Sequence, residues 1–431
     1  MRILLISPRW AGFGNRKKVK VREKKATPLT LGILAGLSRE HQVVIVDEHA
    51  QKIPFHEPWD LVGITSTTYK APRAYEIADS FKSLGVQVIV GGIHPTLQPD
   101  QCLEHCSSVV TGEAEPVWNQ VLHDAARQQL APIYNAGILE DLSKVPFARR
   151  DLYRPGQNPT YFQATRGCGW TCRFCYLQEI PGWNPFRRRP IDQVIDELRA
   201  VKQSVIAIVD DNLFIDRQYA LDLFEAMTTL GKFWWAQAPS TICLDDQLLN
   251  AASRSGCFAL SIGFQTINEA SLDQARVKQN RIAQYCDQVQ NVKNHDILVD
   301  STWIFGFDDD PPTIFNETVE AIREMGVDAY SLYFLTAYPG TAEYTRFEET
   351  GRIVDFNLAH YDWDHPTIQP PQMTITELAE GVAQAYRRLD GSGLRWLGRQ
   401  LIRNNRLLRR SPGLAAYLLK NTFYQSYRVD Y

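Results

Sequence analysis

Three cysteines lie close together in the stretch Thr-Arg-Gly-Cys-Gly-Trp-Thr-Cys-Arg-Phe-Cys-Tyr. Cys168, Cys172 and Cys175 have the spacing CxxxCxxC. Thiolates are the usual protein ligands of iron–sulfur clusters, and a cluster that only transfers electrons normally has four of them. Three cysteines on a cubic cluster leave one iron without a protein ligand, so that another molecule can bind the metal there. The triad therefore predicts a chemically active cluster.

The alternative for the triad is a zinc site. Structural zinc sites usually pair one CxxC motif with a second CxxC or with two histidines. The next cysteine after Cys175 is Cys243, and no histidine lies between them. The spacing therefore favours the cluster. We interpret Cys243, Cys257 and Cys286 as single buried thiols, because isolated cysteines usually behave as small apolar residues.

Aromatic residues flank the third cysteine, and both can shield a cluster from water: Phe174 and Tyr176. With the pattern CxxxCx(aromatic)C, the chain resembles the radical S-adenosylmethionine (SAM) enzymes. In that family SAM chelates the open iron through its amino and carboxylate groups, and one electron from the cluster releases a 5′-deoxyadenosyl radical. The resemblance implies a [4Fe–4S] cluster and SAM as cofactors. It implies cluster ligation and catalysis by Cys168, Cys172 and Cys175, and cofactor contact by Phe174.

The composition of the chain is that of an ordinary globular protein. A length of 431 residues predicts two domains and an extension. Apolar residues make up 44% and charged residues 22%, and the net charge of −3 indicates no affinity for nucleic acid. Eight irregularly spaced cysteines do not form a disulfide framework. No apolar run is long enough for a signal peptide or a membrane span, so we expect a cytoplasmic protein.

Residues 1–145 are predicted to form a doubly wound, Rossmann-like α/β domain. Short β-branched runs begin near residues 2, 42, 61, 86 and 109, and helical stretches separate them. Continuous apolar strands that alternate with helices are typical of a parallel sheet covered on both faces. Such sheets bind ligands at the carboxyl ends of their strands. Small and hydroxyl residues stand at these ends: Thr65, Ser66, Thr67, Gly91, Gly92, Thr111 and Gly112. Ordinary turns of any α/β domain are the alternative for these residues.

Three stretches of this domain, which begin at Pro28, Val90 and Thr111, resemble the cobalamin-binding domains that precede many radical SAM barrels. The resemblance implies cobalamin as a third cofactor, although some relatives keep the domain without it. The familiar DxHxxG motif, whose histidine binds cobalt, is absent from the loop after the first strand. We interpret His49, which follows the second strand, as a surface residue. The cobalamin is therefore expected to lack a histidine from this motif.

Residues 146–345 are predicted to form a partial (β/α)6 barrel. Strands are expected at 160–166, 205–210, 233–238, 258–265, 299–306 and 330–337. Helices are expected near 190–203, 216–230, 246–255, 278–294, 313–325 and 341–350. Barrels of this kind carry their chemistry at the carboxyl ends of the strands. The triad follows the first strand and therefore belongs to that end.

Further residues at the same end resemble SAM-binding motifs of the family. The resemblance implies contact with the SAM amino group for Asp210, Asp211 and Asn212. The alternative is a helix cap, since Asn212 or Asp216 could cap the next helix. Gln265 stands where the family motif Gly-Ile-Glu has glutamate, and it can still bind a ribose hydroxyl. Gly306 would allow the adenine to approach closely. Tyr338 faces either the substrate or the protein core.

Residues 346–431 are predicted to form a helical extension. The part from 361 to 388 resembles the segment that closes several such enzymes, including hopanoid C-2 methylases. Thr374 and Glu377 form a capping box for a helix. Arginines alternate with apolar residues from 395 to 410, which is typical of a helix that lies on an anionic membrane surface. Packing of this helix on the barrel is the alternative.

Together these resemblances imply a cobalamin-dependent radical SAM enzyme that methylates an unactivated carbon. A small-molecule or lipid-like substrate is expected, with flavodoxin or ferredoxin as the reductant. The alternative reaction is cyclisation, ring contraction or carbon–carbon coupling without methyl transfer. The alternative of another class is a non-catalytic sensor of cobalamin or SAM, although sensing would not require an open iron.

Overall fold

The computed structural model describes residues 1–10, 28–153, 160–180 and 182–390. Two six-stranded parallel sheets dominate it, one in each half of the described chain. Consecutive strands of a parallel sheet need long crossover connections, which here contain the helices. The predicted α/β class and the division into a Rossmann-like part and a partial barrel are confirmed.

The N-terminal sheet contains the strands β1 (Arg2–Ser7), β2 (Gln42–Asp47), β3 (Leu61–Thr65), β4 (Gln87–Gly91), β5 (Ser108–Thr111) and β6 (Ile133–Asn135). Its helices are α1 (Leu29–Leu37), α2 (Ala71–Ser83), α3 (Ile93–Leu97), α4 (Pro99–Leu103) and α5 (Trp118–Ala126). Side chains of β1 alternate between two cores. Leu4 packs into the core that contains α2, and Leu5 into the core that contains α1 and α5. Both faces are therefore covered, as continuous apolar strands require.

The strand order of this sheet is β2-β1-β3-β4-β5-β6. The chain moves to one side of β1 to form β2 and then to the other side to form β3. A ligand crevice opens at such a switch point, outside the carboxyl ends of the strands. Ser7 ends β1 at this crevice, and Ser66 follows β3 there.

The second half contains the strands β7 (Thr160–Phe162), β8 (Thr165–Arg166), β9 (Arg187–Arg188), β10 (Val205–Ile208), β11 (Phe233–Ala238), β12 (Cys257–Gln265), β13 (Leu298–Phe305) and β14 (Ala329–Phe334). Its helices are α6 (Ile191–Ala200), α7 (Arg217–Met227), α8 (Asp246–Arg254), α9 (Glu269–Gln274), α10 (Tyr285–Asn294), α11 (Ile314–Met325) and α12 (Ala342–Glu349). Six strands form one parallel sheet in the order β14-β13-β12-β11-β10-β7. Because β7 and β14 are its two edge strands, the barrel is open, as predicted.

Several short elements differ from the predicted pattern. The strands β8 and β9 form a separate antiparallel hairpin in which Arg166 pairs with Arg187. Each strand has only two residues, Thr165–Arg166 in β8 and Arg187–Arg188 in β9, and is too short for a hydrophobic period that could predict a strand. The helix α9 and the strand β6 were also absent from the prediction. Asp216 caps α7 by accepting the N–H of Tyr219 at 3.0 Å, which confirms one of the two residues proposed for that cap.

The extension forms α13 (Ile375–Asp390). The capping box is confirmed, since the Glu377 carboxylate accepts the Thr374 N–H at 2.7 Å and the Thr374 hydroxyl accepts the Glu377 N–H at 3.2 Å. The Tyr386 hydroxyl of α13 hydrogen-bonds the backbone of Leu332 and covers the edge strand β14. Residues 395–410 lie outside the described residues, so their membrane contact stays a prediction.

The structure corrects two interpretations. Cys243 and Cys257 are buried single thiols, but Cys286 is exposed on α10, where it lies on the outer side of the helix. His49 is partly buried, and its Nε2 accepts the N–H of Trp10 at 3.2 Å.

Across the described ranges, no helix combines the length and the apolar character that crossing a membrane requires.

Candidate active site

The cysteine triad lies on the loop that follows β7, the first strand of the barrel. Cys168 stands between Gly167 and Gly169, whose φ angles are +94° and +74°. Glycine adopts such left-handed angles without a steric penalty. A Cβ atom at Gly167 would come within 2.5 Å of the Pro185 carbonyl oxygen. The two glycines therefore let the loop fold tightly against the segment that precedes β9.

Asp211 and Asn212 follow β10 and hold the start of the triad loop. The Asp211 carboxylate accepts the N–H of Gly167 at 3.0 Å, and the Asn212 amide donates to the Cys168 carbonyl oxygen at 3.3 Å. Burial is the main cause of a raised pKa at Asp211. Both residues lie beside Cys168, as expected for SAM-binding residues, and their contact with SAM stays a prediction.

Unpaired acceptors beside the triad fit a ligand that donates hydrogen bonds. Among the residues that the structure describes, Asn212 Oδ1 and Gln279 Oε1 are buried without a hydrogen-bond partner. Buried polar atoms in native proteins nearly always have one. The ammonium group of SAM is a charged donor and would satisfy such acceptors. The residues at this end of the barrel therefore fit a SAM molecule.

Gln279 is a site residue that the sequence analysis missed. Its Nε2 donates to the Sγ atom of Cys172 at 3.5 Å. Hydrogen bonds to the sulfur ligands of a cluster tune its reduction potential. A single glutamine in a loop more than 100 residues after the triad carries no recognisable signal in a sequence.

The three cysteines of the triad are partly buried. Burial raises the pKa of all three thiols, and that of Cys175 to about 12. Coordination opposes this effect, because a metal-bound thiol is deprotonated. Within the described ranges, no three His, Cys, Asp or Glu side chains are close enough to hold one metal ion. In a cubic cluster each cysteine binds a different iron, so the three Sγ atoms do not need to be close enough to hold one metal ion.

Asp210 holds the segment that leads from β7 to the triad. Its carboxylate accepts the N–H groups of Ala164 and Thr165 at 2.9 and 2.7 Å, and the Thr165 hydroxyl at 2.6 Å. These bonds explain why β7 ends at Phe162 although a strand to residue 166 was expected. Burial is the main cause of a raised pKa at Asp210, about 7. The geometry gives Asp210 a positioning role, and the predicted contact with SAM remains untested.

Gln265 and Gly306 end the strands β12 and β13 in left-handed conformations, with φ angles of +68° and +102°. A Cβ atom at Gly263 would lie 2.1 Å from Gln265 Nε2, so the Gln265 side chain folds back over its own strand. A Cβ atom at Gly306 would meet Leu378 of α13 at 3.3 Å. Helix α13 therefore accounts for part of the need for glycine at 306. The contacts of both residues with SAM stay predictions.

The residues predicted to bind cobalamin lie at the carboxyl ends of β3, β4 and β5. Gly92 has a φ angle of +112°, and a Cβ atom there would lie 2.7 Å from the Ser66 carbonyl oxygen. Gly112 has a φ angle of +77°, and its Cβ would lie 2.3 Å from the Gly137 carbonyl oxygen. Close backbone packing thus explains both glycines.

The other predicted residues of this group also lie at the crevice. Thr65 and Gly91 pair across β3 and β4, and the Thr111 hydroxyl donates to Asn135 at 2.8 Å. Thr67 follows Ser66 and precedes the short helix that begins at Thr68. Their contact with cobalamin stays a prediction.

Two polar groups at the crevice fit a bound cofactor. The Thr68 hydroxyl is 1% exposed and has no hydrogen-bond partner among the described residues. Burial lowers the pKa of the Lys70 ammonium, which is 3.4 Å from the Ser7 hydroxyl at the end of β1. Both groups lie at the switch point of the sheet, where ligands of such folds bind. The residues present therefore fit a large polar cofactor such as cobalamin.

A buried ion-pair network joins the two domains beside the triad. Glu113 contacts Arg166 and Arg187 at 2.9 Å each, and Glu115 contacts Arg166 at 2.5 Å. All four side chains are less than a tenth exposed. Arg166 precedes Cys168 by two residues. The stretch Thr111-Gly-Glu-Ala-Glu therefore acts on the cluster loop, a role that its resemblance to cobalamin-binding domains did not indicate.

Comparison with known proteins agrees with this division of the chain. Residues 162–311 match the model of the radical SAM superfamily, and residues 19–122 match that of the B12 binding domain. The bacteriochlorophyllide d C-12(1)-methyltransferase of Chlorobaculum tepidum is 31% identical over 396 residues, which is 86% of each chain. This chain belongs to the cobalamin-binding radical SAM methyltransferases.

Two further comparisons place the methyltransferase among its relatives. The hopanoid C-2 methylase of Rhodopseudomonas palustris is 22% identical and matches 83% of this chain and 70% of its own. The structure of TsrM from Kitasatospora setae with cobalamin and a [4Fe–4S] cluster has a TM-score of 0.64 at 16% identity. It covers 88% of this chain and 84% of that chain, and shows a shared fold.

The chain is thus a radical SAM enzyme that uses a [4Fe–4S] cluster, SAM and cobalamin to methylate carbon, and it acts on a small molecule. The predicted family, enzyme class and cofactors are confirmed. The alternative of a non-catalytic sensor is not supported, because the Chlorobaculum tepidum methyltransferase is an enzyme and matches 86% of this chain.

Proposed function

We propose that this methyltransferase adds a methyl group to a peripheral carbon of a chlorophyll-type tetrapyrrole. The observation that carries this substrate class is the relationship to the bacteriochlorophyllide d C-12(1)-methyltransferase, which extends over 86% of both chains. The hopanoid methylase, at 22% identity, gives weaker support to a fused-ring triterpenoid. Both classes are large ring systems with a mainly apolar surface.

The boundary between the domains is rich in tyrosine, which suits an apolar ring system with polar substituents. Tyr69 follows β3, Tyr161 lies on β7, and Tyr176 follows the triad. Burial is the main cause of a raised pKa at Tyr161, Tyr176 and Tyr338, and the Tyr69 phenol adds to it in each case. The rings of Tyr176 and Tyr338 are neighbours, with centroids 5.6 Å apart. They lie between the two ends at which the cofactors are expected, and clefts between domains commonly bind ligands.

When bound, the three cofactors supply hydrogen abstraction from the substrate carbon and the methyl group that replaces the hydrogen. The chain must hold the substrate between them and keep water away. Phe174 packs 6.2 Å from Phe307, and Tyr176 packs 5.6 Å from Tyr338, so that aromatic rings cover the triad loop. We assign the cluster to Cys168, Cys172 and Cys175.

Methyl-labelled SAM tests the reaction type. Reconstituted enzyme, chlorophyllide and a reductant should give labelled tetrapyrrole, with one 5′-deoxyadenosine and one S-adenosylhomocysteine released for each methyl group. One SAM is used for hydrogen abstraction and the other supplies the methyl group. A tetrapyrrole product without label, formed with release of 5′-deoxyadenosine, would instead assign cyclisation or coupling.

Two cysteine variants provide matched controls. Cys168→Ala should abolish release of 5′-deoxyadenosine and lower the bound iron, since a ligand of the cluster is lost. Cys243→Ala removes a thiol that is 0% exposed in the barrel core and should leave the iron content unchanged. Equal iron content in both variants would contradict the assignment of the triad.

The cluster also needs a source of single electrons. We propose a protein donor of the flavodoxin or ferredoxin type, because such carriers deliver one electron at low potential. Reduced flavodoxin should support release of 5′-deoxyadenosine when no chemical reductant is present. Activity with dithionite but none with reduced flavodoxin or ferredoxin would argue against these donors.

A further inference from the structure

We propose that Trp363 is the surface on which the flat ring of the substrate stacks, and that its loop selects planar macrocycles. This inference rests on the tetrapyrrole substrate proposed above. Trp363 lies in the extension between α12 and α13, almost 190 residues after the last cysteine of the triad. The indole is 41% exposed. A single exposed apolar side chain is common at protein surfaces, so the inference rests on the surroundings of Trp363.

The residues beside Trp363 are firmly held. Tyr361 is 0% exposed, and its hydroxyl donates to the Asp355 carbonyl oxygen at 2.8 Å. Asp362 is 4% exposed, and its carboxylate accepts the Asp364 N–H at 3.0 Å and pairs with His365 Nδ1 at 2.9 Å. The loop therefore has a defined conformation around its largest apolar side chain, which remains partly exposed.

The backbone of Trp363 is itself strained. Its φ angle is +68°, in the left-handed region that bulky side chains rarely occupy. The Trp363 carbonyl oxygen accepts the Phe334 N–H at 2.9 Å and so extends the hydrogen bonding of β14. Strain of this kind persists only where neighbouring contacts impose it, and it occurs often at ligand sites.

Three tyrosine rings lie next to the indole. Their ring centroids are 6.1 Å (Tyr69), 6.2 Å (Tyr333) and 6.4 Å (Tyr338) from that of Trp363. The planes of these rings are inclined by 60°, 60° and 88° to the indole. None of the three lies parallel to the indole. Because Trp363 is 41% exposed, part of its side chain remains accessible to a flat ligand, with the tyrosines as neighbours.

The position of this surface suits a substrate of the proposed reaction. Tyr69 belongs to the N-terminal domain and follows β3, at the crevice predicted to hold cobalamin. Tyr338 belongs to the barrel, and its ring is 5.6 Å from that of Tyr176, the residue after Cys175. A macrocycle on Trp363 would thus lie between the triad loop and the crevice.

Binding of zinc protoporphyrin IX, a stable fluorescent tetrapyrrole, tests the inference without any turnover. The full chain without cofactors is titrated, and the shift of the main absorption band gives Kd. Trp363→Leu should weaken binding by about tenfold or more, because it removes the stacked aromatic surface. Trp363→Phe should lose less, since a smaller ring remains. Phe356→Leu should bind like the wild type, although Phe356 is 66% exposed in the same extension.

Trp363→Gly separates stacking from folding. Glycine relieves the positive φ angle and removes the ring, so this variant should melt no lower than Trp363→Leu and bind equally weakly. Wild-type affinity in Trp363→Leu and Trp363→Gly would overturn the role of Trp363 but leave the substrate class intact. If the wild type binds neither zinc protoporphyrin IX nor chlorophyllide, the tetrapyrrole proposal fails, and the inference fails with it.

Discussion

Replacing Glu113 by Gln should loosen the contact between the two domains. The Glu113 side chain is 4% exposed and contacts Arg166 Nη1 and Arg187 Nη1 at 2.9 Å each. It also accepts the N–H of Leu139 at 2.6 Å. Glutamine has nearly the same shape but no charge, and its amide group donates where the carboxylate oxygen accepts.

The size of the effect follows from the buried partners. Arg166 would keep Glu115 at 2.5 Å, but Arg187 would retain only the Leu139 carbonyl oxygen and similar neutral acceptors. Breaking a buried ion pair by removing one partner costs about 3–5 kcal/mol, because the remaining charge stays buried. Since the barrel comprises about 200 residues, this loss corresponds to roughly 6–20 °C in Tm.

Thermal unfolding, followed by circular dichroism on protein without cofactors, measures this loss. Glu57→Gln is the matched control, because Glu57 is 53% exposed and pairs with Arg2 at the surface at 2.8 Å. Exposed pairs contribute about 1 kcal/mol or less. If Glu113→Gln lowers Tm no more than Glu57→Gln does, the buried network does not hold the domains together.

Three further predictions address single contacts. Gln279→Leu removes the hydrogen bond to Cys172 and should lower the midpoint potential of the cluster, as measured by a potentiometric titration followed by electron paramagnetic resonance; an unchanged potential would contradict the contact. Burial raises the pKa of Asp210 to about 7, so the native protein keeps a proton that the unfolded chain loses above about pH 4. Stability should therefore fall between about pH 4 and 7, and Asp210→Asn should remove that part of the slope of Tm against pH. Gly92→Ala places a Cβ atom 2.7 Å from Ser66 and should destabilise more than Gly85→Ala, where no atom lies within 4 Å; equal urea midpoints would contradict the packing.

Most of the fold could be predicted from local sequence patterns. The long apolar runs of β1, β2, β12 and β13 predict buried parallel strands, and the structure places each within a residue or two of the expected position. The triad is equally local, because all its ligands lie within one short loop. For such features neighbouring residues alone determine the structure, and a single sequence contains the necessary information.

Contacts between distant residues could not be predicted in this way. Arg166 and Glu115 are 51 positions apart, and each resembles an ordinary surface charge in the sequence. Their burial depends on how the two domains pack, which no periodic pattern describes. Trp363 presents the same difficulty, because its positive φ angle results from hydrogen bonds to β14 and not from a turn residue such as glycine.

The motifs shared with the family therefore have two kinds of role in this chain. Glu113 belongs to a stretch that resembles cobalamin-binding domains, yet its carboxylate binds the arginines next to the triad. Gly340 follows β14 of the barrel, yet a Cβ atom there would lie 2.4 Å from the Leu97 carbonyl oxygen of the other domain. Methyl transfer would need the cluster site and the cobalamin site to reach the same substrate. Residues that fix the distance between the domains are consequently as necessary to this reaction as those that touch a cofactor, and they stand within the same motifs.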